Sequence, residues 1–339
     1  MNTGFTYRLL KWFEVNKRDL PWRNNNDPYT IWLSEIILQQ TRIQQGTDYW
    51  LRFVNRWPNV DSLAKASEDE ILREWQGLGY YSRARNMHVA AKQIVEFGKF
   101  PDTLKEIKSL KGVGDYTAAA IASFAFNIPI AAVDGNVYRV LARHFGIDMP
   151  IDTTQGKKVF TELAQDLIPV THPADFNQAM MDFGAIQCTP HSPGCDECPM
   201  MDTCVALRTK RVNSLPVKTK KVKIRERKFY YYYIRYKNNN QTFIAVRKRP
   251  AGDIWQGLWE PLMMENNFDI PDFEGTVTLV AQNVKHILTH QVIFADCYLV
   301  ETNIKPKIAA EFLWIEEKEL DSYALPKLVE LLINRLPEE

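Results

Sequence analysis

The stretch Leu110-Lys111-Gly112-Val113-Gly114-Asp115-Tyr116 separates two segments of helical periodicity and governs how the first part of the chain is interpreted. Its glycines, Gly112 and Gly114, are one residue apart, and glycine lets the backbone approach another surface closely. Free amides at the start of the following helix can hold a phosphate group. The same pattern fits a tight turn between helices, so the stretch alone leaves both interpretations open.

Around this stretch, the first two-thirds of the chain has helical patterning. Between about Thr6 and Arg211, apolar residues recur at three- and four-residue spacing, as at Ala118, Ile121 and Ala122. Proline and glycine punctuate these segments, and few of them alternate with a period of two. The pattern predicts an all-helical domain over residues 1–214, with a helix across Tyr29–Gln45.

The overall composition excludes several classes of protein. The chain has 339 residues, of which 45% are hydrophobic, so extensive disorder is excluded. Its 42 basic and 41 acidic residues nearly cancel, so no global charge indicates a nucleic-acid partner. No apolar run reaches the roughly 18 residues of a membrane span, and no secretory signal is apparent. We expect a cytoplasmic monomer without a membrane partner.

The patterning changes after residue 214. Between residues 218 and 228, seven Lys or Arg residues face one Glu, which predicts a solvated basic linker over residues 215–228. This linker either contacts a phosphate backbone or is a plain connector, and the sequence favours neither interpretation over the other. Beyond it, β-branched and aromatic residues predict an α+β domain over residues 229–339. Its predicted elements are strands at Tyr230–Tyr236, Thr242–Arg247, Thr276–Ala281 and Val292–Val300, a hairpin turn at 238–240 and a closing helix at Leu325–Leu336.

Four of the five cysteines are clustered. Cys188, Cys195, Cys198 and Cys204 have the spacing Cys-x6-Cys-x2-Cys-x5-Cys, which suits either zinc or an iron–sulfur cluster. Structural zinc usually has two Cys-x2-Cys pairs, and only one is present, so the spacing favours a 4Fe-4S cluster. The fifth, Cys297, lies in an apolar run and is predicted to be a buried thiol.

Two carboxylates have contrasting sequence environments. Glu35 shares a mostly apolar helical face, where desolvation raises a pKa and keeps the group protonated, as a general acid requires. Alternatively, it is a partly buried glutamate paired with a residue such as Arg42. Asp134 opens Asp134-Gly135-Asn136 before a helical segment, which suits a helix N-cap or an ionised group facing a pocket. Such a pair can break a glycosidic bond, with one acid and one stabiliser of the sugar cation.

Together these motifs resemble the helix-hairpin-helix DNA glycosylase superfamily. The 110–116 stretch resembles its hairpin, Val133–Val137 its catalytic aspartate motif, and the cysteines its iron–sulfur loop. Within the superfamily, Leu33–Thr41 and Gly77–Arg83 resemble the adenine DNA glycosylase (MutY) family. The resemblance covers nearly the whole chain. It implies a multi-domain protein with an all-α glycosylase domain, a 4Fe-4S loop at 188–204 and a Nudix-like domain.

The resemblance also implies a function in base excision repair. Double-stranded DNA with adenine opposite 8-oxoguanine or guanine would be the substrate, with the adenine flipped out of the helix. Glu35 would protonate the adenine and Asp134 would stabilise the sugar cation, while Tyr116 and Asn136 orient the chemistry. The residues implied to contact substrate or DNA are Trp22, Arg23, Gln40, Thr41, Leu78, Tyr80, Gly112, Val113, Gly114, Thr289 and His290.

Several positions separate this family from its relatives. Endonuclease III-like lyases have a lysine where this chain has Tyr116, and Tyr138 replaces a lysine of some adenine glycosylases, which implies a monofunctional hydrolase. The Nudix-like domain lacks the Arg-Glu-x-x-Glu-Glu string that holds magnesium. The family reads 8-oxoguanine with a Phe-Ser-His motif, and the matching stretch here is Leu288-Thr289-His290. Thr289 keeps the hydroxyl of the serine, whereas Leu288 lacks the aromatic ring of the phenylalanine. The alternatives are an endonuclease III-like glycosylase-lyase and a non-enzymatic iron–sulfur DNA-binding protein.

Overall fold

The computed structural model describes residues 3–219, 224–266 and 274–337. By its internal contacts the chain divides into two units, Met1–Lys65 with Val89–Lys220 and Ala66–His88 with Lys221–Glu339. The first unit is helical, and the second contains a mixed β-sheet with helical segments, which confirms the predicted fold class. Among the described residues, no helix combines the length and apolar character that crossing a bilayer requires.

Helices occupy most of the chain before the sheet, and local capping explains their ends. Helix α8 (Asp115–Phe126) begins after Gly114 and is followed by Asn127, whose left-handed backbone (φ 54°) is typical of a helix C-terminus. Helix α9 (Gly135–Phe145) is likewise followed by Gly146, with φ 70°. The helices are α1 Thr3–Asn16, α2 Pro28–Ile37, α3 Ile43–Arg56, α4 Val60–Lys65, α5 Glu68–Glu74, α6 Ser82–Phe97, α7 Leu104–Ser109, α8 Asp115–Phe126, α9 Gly135–Phe145, α10 Thr154–Leu167, α11 Pro173–Asp182 and α12 Val205–Arg208.

The predicted helix over Tyr29–Gln45 is wrong in its second half. Helix α2 ends at Ile37, and the chain turns through Gln40, which has a left-handed backbone with φ 55°, before α3 begins at Ile43. The apolar spacing continued across the break because residues on both sides pack inward. Gly46 of α3 is one example, since a Cβ there would lie 2.6 Å from Leu38 Cδ2.

A hydrophobic core packs helices α1, α9, α10 and α11 of the helical unit together. It includes Leu9 of α1, Leu141 of α9, Phe160 of α10 and Phe176 of α11, each nearly or completely buried. Burying a side chain of this size contributes about 1.5–3 kcal/mol. This packing fixes α9 and α11 in the unit, and both helices position residues of the site described below.

The second unit is built on a sheet with the order β3-β2-β1-β6-β5, to which β4 and β7 add by pairing with β1 and β2. β1 and β6 run parallel, and the other pairs are antiparallel. The hairpin turn predicted at 238–240 joins β1 to β2. The elements are β1 Arg225–Asn238, β2 Gln241–Lys248, β3 Trp259–Glu260, β4 Leu262–Glu265, β5 Thr276–Ile287, β6 Gln291–Thr302, β7 Leu313–Glu316 and a final helix α13 Lys327–Ile333.

The end of the predicted basic linker is a strand, and it is only partly solvated. Strand β1 begins at Arg225, and Arg227 is only 5% exposed. Its guanidinium lies 2.7 Å from Asp253 and 2.6 Å from Glu265, so its charge is neutralised inside the unit. Lys228 similarly contacts Asp296 at 2.7 Å. Because the acidic partners of these side chains lie far along the chain, the strand could not be recognised from the charge run. Residues 220–223 of the linker lie outside the described residues.

Residues 66–88 group with the sheet rather than with the helical unit, although the sequence suggested a helical domain continuous over 1–214. Helix α5 and the first turns of α6 belong to this segment. Its contacts with strand residues, such as the hydrogen bond from Trp259 to Asp69, account for the grouping. Helical periodicity identifies the helices but carries no information about which unit they join.

Candidate active site

A cavity of about 1230 Å³ opens in the helical unit. Both predicted carboxylates, Glu35 of α2 and Asp134 before α9, line it. Of the other residues predicted for catalysis and for contact with substrate or DNA, its walls include Tyr116, Asn136, Trp22, Arg23, Gln40 and Thr41.

Glu35 is set for protonation near neutral pH. Its side chain is 9% exposed, and burial raises its pKa to about 7. The nearby negative charge of Asp134 adds to this rise, whereas a hydrogen bond from Tyr116 and the positive charge of Arg23 oppose it. The arginine that acts on Glu35 is therefore Arg23 rather than Arg42, the partner considered in the sequence. A carboxyl with such a pKa can donate a proton at physiological pH.

Asp134 is held by the start of α9. Its Oδ1 accepts hydrogen bonds from the backbone amides of Asn136 (2.9 Å) and Val137 (2.8 Å), as an N-cap residue does. Its Oδ2 accepts from the Asn136 side-chain amide at 2.8 Å. Amide donors and the helix dipole both favour a carboxylate at this position. The two sequence interpretations therefore coexist, because the N-cap aspartate also faces the cavity.

The backbone leading to Asp134 is anchored by a buried asparagine. Asn177 of α11 is 1% exposed, and its Oδ1 accepts a hydrogen bond from the Ala132 amide at 3.0 Å. Its Nδ2 donates to the Ile130 carbonyl and to Ser123 Oγ, both at 2.9 Å. These contacts satisfy the backbone of an irregular segment that runs inside the unit. They fix where Asp134 emerges.

Tyr116 lies in the first turn of α8, directly after the hairpin. Its hydroxyl donates to Met181 Sδ at 3.8 Å. Its interaction with Glu35 lowers the pKa of that carboxyl, and burial together with the charges of Glu35 and Asp134 raises the pKa of the phenol well above the ordinary value. The phenol therefore stays protonated and acts as a hydrogen-bond donor. Its position links the hairpin directly to the general-acid candidate.

Arg23 and Trp22 are fixed by packing and by an ion pair. Trp22 is 7% exposed and packs edge-on against Trp50, with ring centroids 5.8 Å apart. Arg23 donates to both oxygens of Asp182, at 2.8 and 2.9 Å, and Arg18 contacts the same carboxylate. Burial alone would raise the pKa of Asp182, but the hydrogen bonds from the two arginines outweigh it and lower the pKa.

The hairpin turns through its two glycines. Gly112 has φ 80°, a conformation suited to glycine, and Gly114 is the extended residue before α8. Val113 is 8% exposed, and its amide donates to the Leu110 carbonyl at 3.1 Å. The amides predicted to hold a phosphate group are those that follow, at the start of α8.

The remaining candidates lie in the second unit. Tyr80 is 43% exposed with φ 47°, and the neighbouring Tyr81 is the buried one, at 6% exposed. The Tyr80 hydroxyl contacts the Thr289 hydroxyl. Thr289 and His290 are exposed in the turn between β5 and β6, whereas Leu78 is 8% exposed.

The four clustered cysteines line a single small cavity of about 30 Å³. Among the residues that the structure describes, no three His, Cys, Asp or Glu side chains are placed to hold one metal ion. The four thiols surround this space, and four thiolates are the donor set that an iron–sulfur cluster or a zinc ion takes. Cys297 is 2% exposed, as predicted for a buried thiol.

Two arginines of α9 bind the cysteine loop. Arg143 is 3% exposed and donates to the carbonyls of Thr189 (2.7 Å) and Pro190 (3.0 Å). Arg139 donates to the Cys188 carbonyl at 2.8 Å and to Asn136 Oδ1 at 2.8 Å. The helix that begins beside Asp134 thus also holds the cysteine loop.

Sequence reasoning missed Asp182, Asn177 and these two arginines. Each acts through partners far along the chain, such as the pairing of Arg18 with Asp182 across 164 residues. Short motifs and periodicity carry no sign of such pairs. The available signal was the aspartate within α11. A single aspartate on a helix is too common, however, to indicate a buried ion pair.

Comparisons with known proteins agree with this architecture. Residues 33–169 match the profile of the HhH-GPD superfamily base excision DNA repair proteins, and residues 230–335 match a NUDIX domain. An adenine DNA glycosylase of Buchnera aphidicola subsp. Baizongia pistaciae is 36% identical over 302 residues, covering 86% of this chain and 84% of the relative. The adenine DNA glycosylase of Arabidopsis thaliana is 38% identical over 290 residues, covering 74% of this chain and 46% of the relative.

Solved structures give the same fold for the helical part. A thermostable thymine-DNA glycosylase is 32% identical with a TM-score of 0.57, covering 61% of this chain and 96% of that one. An endonuclease III–DNA complex, 22% identical with a TM-score of 0.54, covers 61% of this chain and 95% of that one. The second likeness concerns the fold alone.

Proposed function

The chain belongs to the adenine DNA glycosylase family, and from that premise we propose that it hydrolyses the glycosidic bond of adenine mispaired with 8-oxoguanine or guanine in double-stranded DNA. The observation that carries the proposal is the shared cavity, in which a buried carboxyl with a pKa of about 7 lies near a second carboxylate capped by amides. A flipped-out nucleotide needs a cavity of this kind.

The two carboxyl groups have different roles in this proposal. Glu35 donates a proton to the adenine ring, which makes the base a better leaving group. Asp134, ionised and held by the amides of α9, stabilises the positive charge that develops on the sugar before water adds. Asn136 holds Asp134 by the hydrogen bond described above, and Tyr116 interacts with Glu35 and lowers its pKa.

Trp22, Arg23, Gln40 and Thr41 line the same cavity and form the adenine pocket and its entrance. Gly112 and Gly114 present the hairpin backbone to DNA. In the second unit, Leu78, Tyr80, Thr289 and His290 read the base opposite the adenine. The hydroxyl contact between Tyr80 and Thr289 supports this role, because it brings two of these residues together.

We propose a 4Fe-4S cluster held by Cys188, Cys195, Cys198 and Cys204. When bound, the cluster supplies a rigid cross-link of the loop rather than a step in base removal. Arg143 and Arg139 hold this loop through its backbone carbonyls, so they transmit its position to α9 and to Asp134.

The test of substrate preference is a single-turnover assay of adenine release. Duplexes carry adenine opposite 8-oxoguanine, guanine or thymine in one sequence context. We expect fast release opposite 8-oxoguanine, slower release opposite guanine and none opposite thymine. Equal rates opposite all three bases would contradict the proposed preference.

The absence of lyase chemistry is tested separately. Tyr116 occupies the position after the hairpin and has no amine, so it cannot form a Schiff base with the sugar. Borohydride added during the reaction is expected to trap little protein–DNA adduct. Strong trapping would instead support the endonuclease III-like alternative.

A further inference from the structure

The segment Ala66–His88 is attached to the sheet at several separate points. Two of them lie on helix α5, one on α6 and one on the loop between these helices. These contacts hold the segment on the sheet. The attachment that joins α5 to two strands is at Asp69, and we call Asp69, Lys248 and Trp259 the Asp69 clasp.

The Asp69 clasp combines three kinds of contact. Trp259 Nε1 donates to Asp69 Oδ1 at 3.2 Å, and Lys248 Nζ lies 2.7 Å from Asp69 Oδ2. Lys248 Nζ also lies 5.3 Å from the centre of the Trp259 ring, within range of a cation–π interaction. The indole is 9% exposed and packs edge-on against Tyr323 at 4.9 Å. One aspartate therefore links α5 to β2 and β3.

The other attachments lie close to the clasp. Arg85 of α6 donates to the Gln256 carbonyl at 2.5 Å. Gly257 has φ 81°, and a Cβ there would lie 3.2 Å from Glu68 Oε1 and 3.3 Å from Leu72 Cδ1. The turn before β3 thus packs tightly against α5. The helices on both sides of the intervening loop are held by the same turn.

That intervening loop carries Tyr80. Gly77, Gly79 and Tyr80 all have left-handed backbone conformations, with φ of 98°, 70° and 47°. A non-glycine residue with this backbone persists when its surroundings fix it. The Tyr80 hydroxyl contacts Thr289 at the tip of the β5–β6 turn. Holding α5 and α6 on the sheet therefore also sets the distance between Tyr80 and Thr289.

We propose that Asp69 is a specificity-determining positioning residue: through the clasp it holds the 77–80 loop so that Tyr80 and Thr289 meet the base opposite the adenine as one surface. Asp69 itself touches neither base. This inference rests on the proposed preference for 8-oxoguanine. Loss of the clasp separates the two reading residues and leaves the cavity around Glu35 unchanged.

The test compares Asp69→Ala with Asp102→Ala as a matched control. Asp69 and Asp102 are 44% and 43% exposed, and each pairs with a lysine at 2.7 Å. We measure single-turnover adenine release opposite 8-oxoguanine and opposite guanine for each variant of the full chain. For Asp69→Ala we expect the ratio of the two rates to fall by about fivefold, the upper end of what an exposed ion pair contributes. The control keeps the wild-type ratio.

Two further variants separate positioning from a general loss of stability. Lys248→Ala is expected to lower the same ratio, and the double variant is expected to lose no more than Asp69→Ala, since residues in contact are not additive. Asp69→Asn, which keeps the acceptor for Trp259, is expected to recover part of the ratio.

Three results would overturn the inference. An unchanged ratio in Asp69→Ala, or an equal slowing on both duplexes, would show that the clasp has no part in reading the opposite base. Additive losses in the double variant would show that Asp69 and Lys248 act independently. A wild type without any preference for 8-oxoguanine would reject the proposed function, and this role of Asp69 with it.

Discussion

At the scale of single residues, the site depends on two carboxyl groups in different environments. Glu35 is buried among apolar neighbours on α2, whereas Asp134 caps α9 and accepts three hydrogen bonds. Both were identifiable from sequence, because an acid on an apolar helical face and an acid before a helix are local patterns. Asp182 was not, since its importance comes from arginines more than 150 residues away.

The pH dependence of the reaction is predicted from Glu35. A general acid must be protonated, so the rate of adenine release falls as pH rises through the pKa of about 7. In Tyr116→Phe, a hydrogen bond that favours the ionised form is lost, and the pKa of Glu35 rises further. The falling limb of the pH–rate profile should then move to higher pH, measured under single-turnover conditions. A limb that moves to lower pH would contradict this arrangement.

At the scale of elements, α9 connects the cavity to the cysteine loop. Its first residues cap Asp134, and its buried Arg139 and Arg143 bind carbonyls of the loop. The apolar periodicity predicted this helix correctly. The arginines within it looked like surface residues, because arginine is mostly exposed and a buried one is recognisable only with its partners in place.

Arg143→Ala is predicted to weaken cluster retention. The substitution removes the donors to Thr189 and Pro190 and leaves their carbonyls without this partner. We expect less iron per chain and weaker absorbance at about 400 nm, where iron–sulfur centres absorb. Arg208→Ala, on α12 and exposed, is the control. Full iron content in Arg143→Ala would show that the loop holds its cluster without α9.

Asp182→Asn is predicted to destabilise the helical unit by about 3 kcal/mol, because Arg18 and Arg23 lose a fully buried counter-charge. The melting temperature should fall by roughly 6–12 °C. The pKa of Asp182 is lower in the folded than in the unfolded protein. The ionised carboxylate therefore stabilises the fold above the unfolded-state pKa, and this stabilisation is lost as the pH falls through the folded-state pKa. The difference from wild type should therefore shrink in acid.

The exposed Asp175, 3.9 Å from His172, supplies the control for that measurement. Asp175→Asn should change the melting temperature little, since an exposed pair contributes about 0–1 kcal/mol. Equal effects of the two substitutions would contradict the importance of the buried ion pair.

At the scale of the whole molecule, the sequence predicted a helical part and an α+β part with four of the seven strands that the structure describes, and it missed the short strands β3, β4 and β7. It did not predict that residues 66–88 group with the sheet, because the contacts of Asp69 and Arg85 join residues more than 170 positions apart. The start of the sheet was also set too late. Arg225 to Lys228 were assigned to a solvated run, whereas their acidic partners lie on later strands and loops.

The NUDIX-like unit is predicted to lack pyrophosphatase activity. Its buried acid Glu260 is bound by Arg249 at 2.5 Å and Asp253 by Arg227 at 2.7 Å, so these carboxylates already have cationic partners. A magnesium site needs carboxylate oxygens that the metal can reach. Pyrophosphate release from 8-oxo-dGTP with Mg²⁺ should stay at the level of a blank without protein. Turnover that depends on Glu260 would contradict this prediction.

The most direct measurement is adenine release from a duplex with adenine opposite 8-oxoguanine by wild type, Glu35→Gln and Asp134→Asn, together with the affinity of each for an uncleavable analogue of that duplex. We predict that both substitutions slow release by at least about a hundredfold, the lower range of general acid catalysis, while binding remains. Release at the wild-type rate by either variant, with binding intact, would contradict the central claim that these two carboxyl groups act together on one extruded adenine.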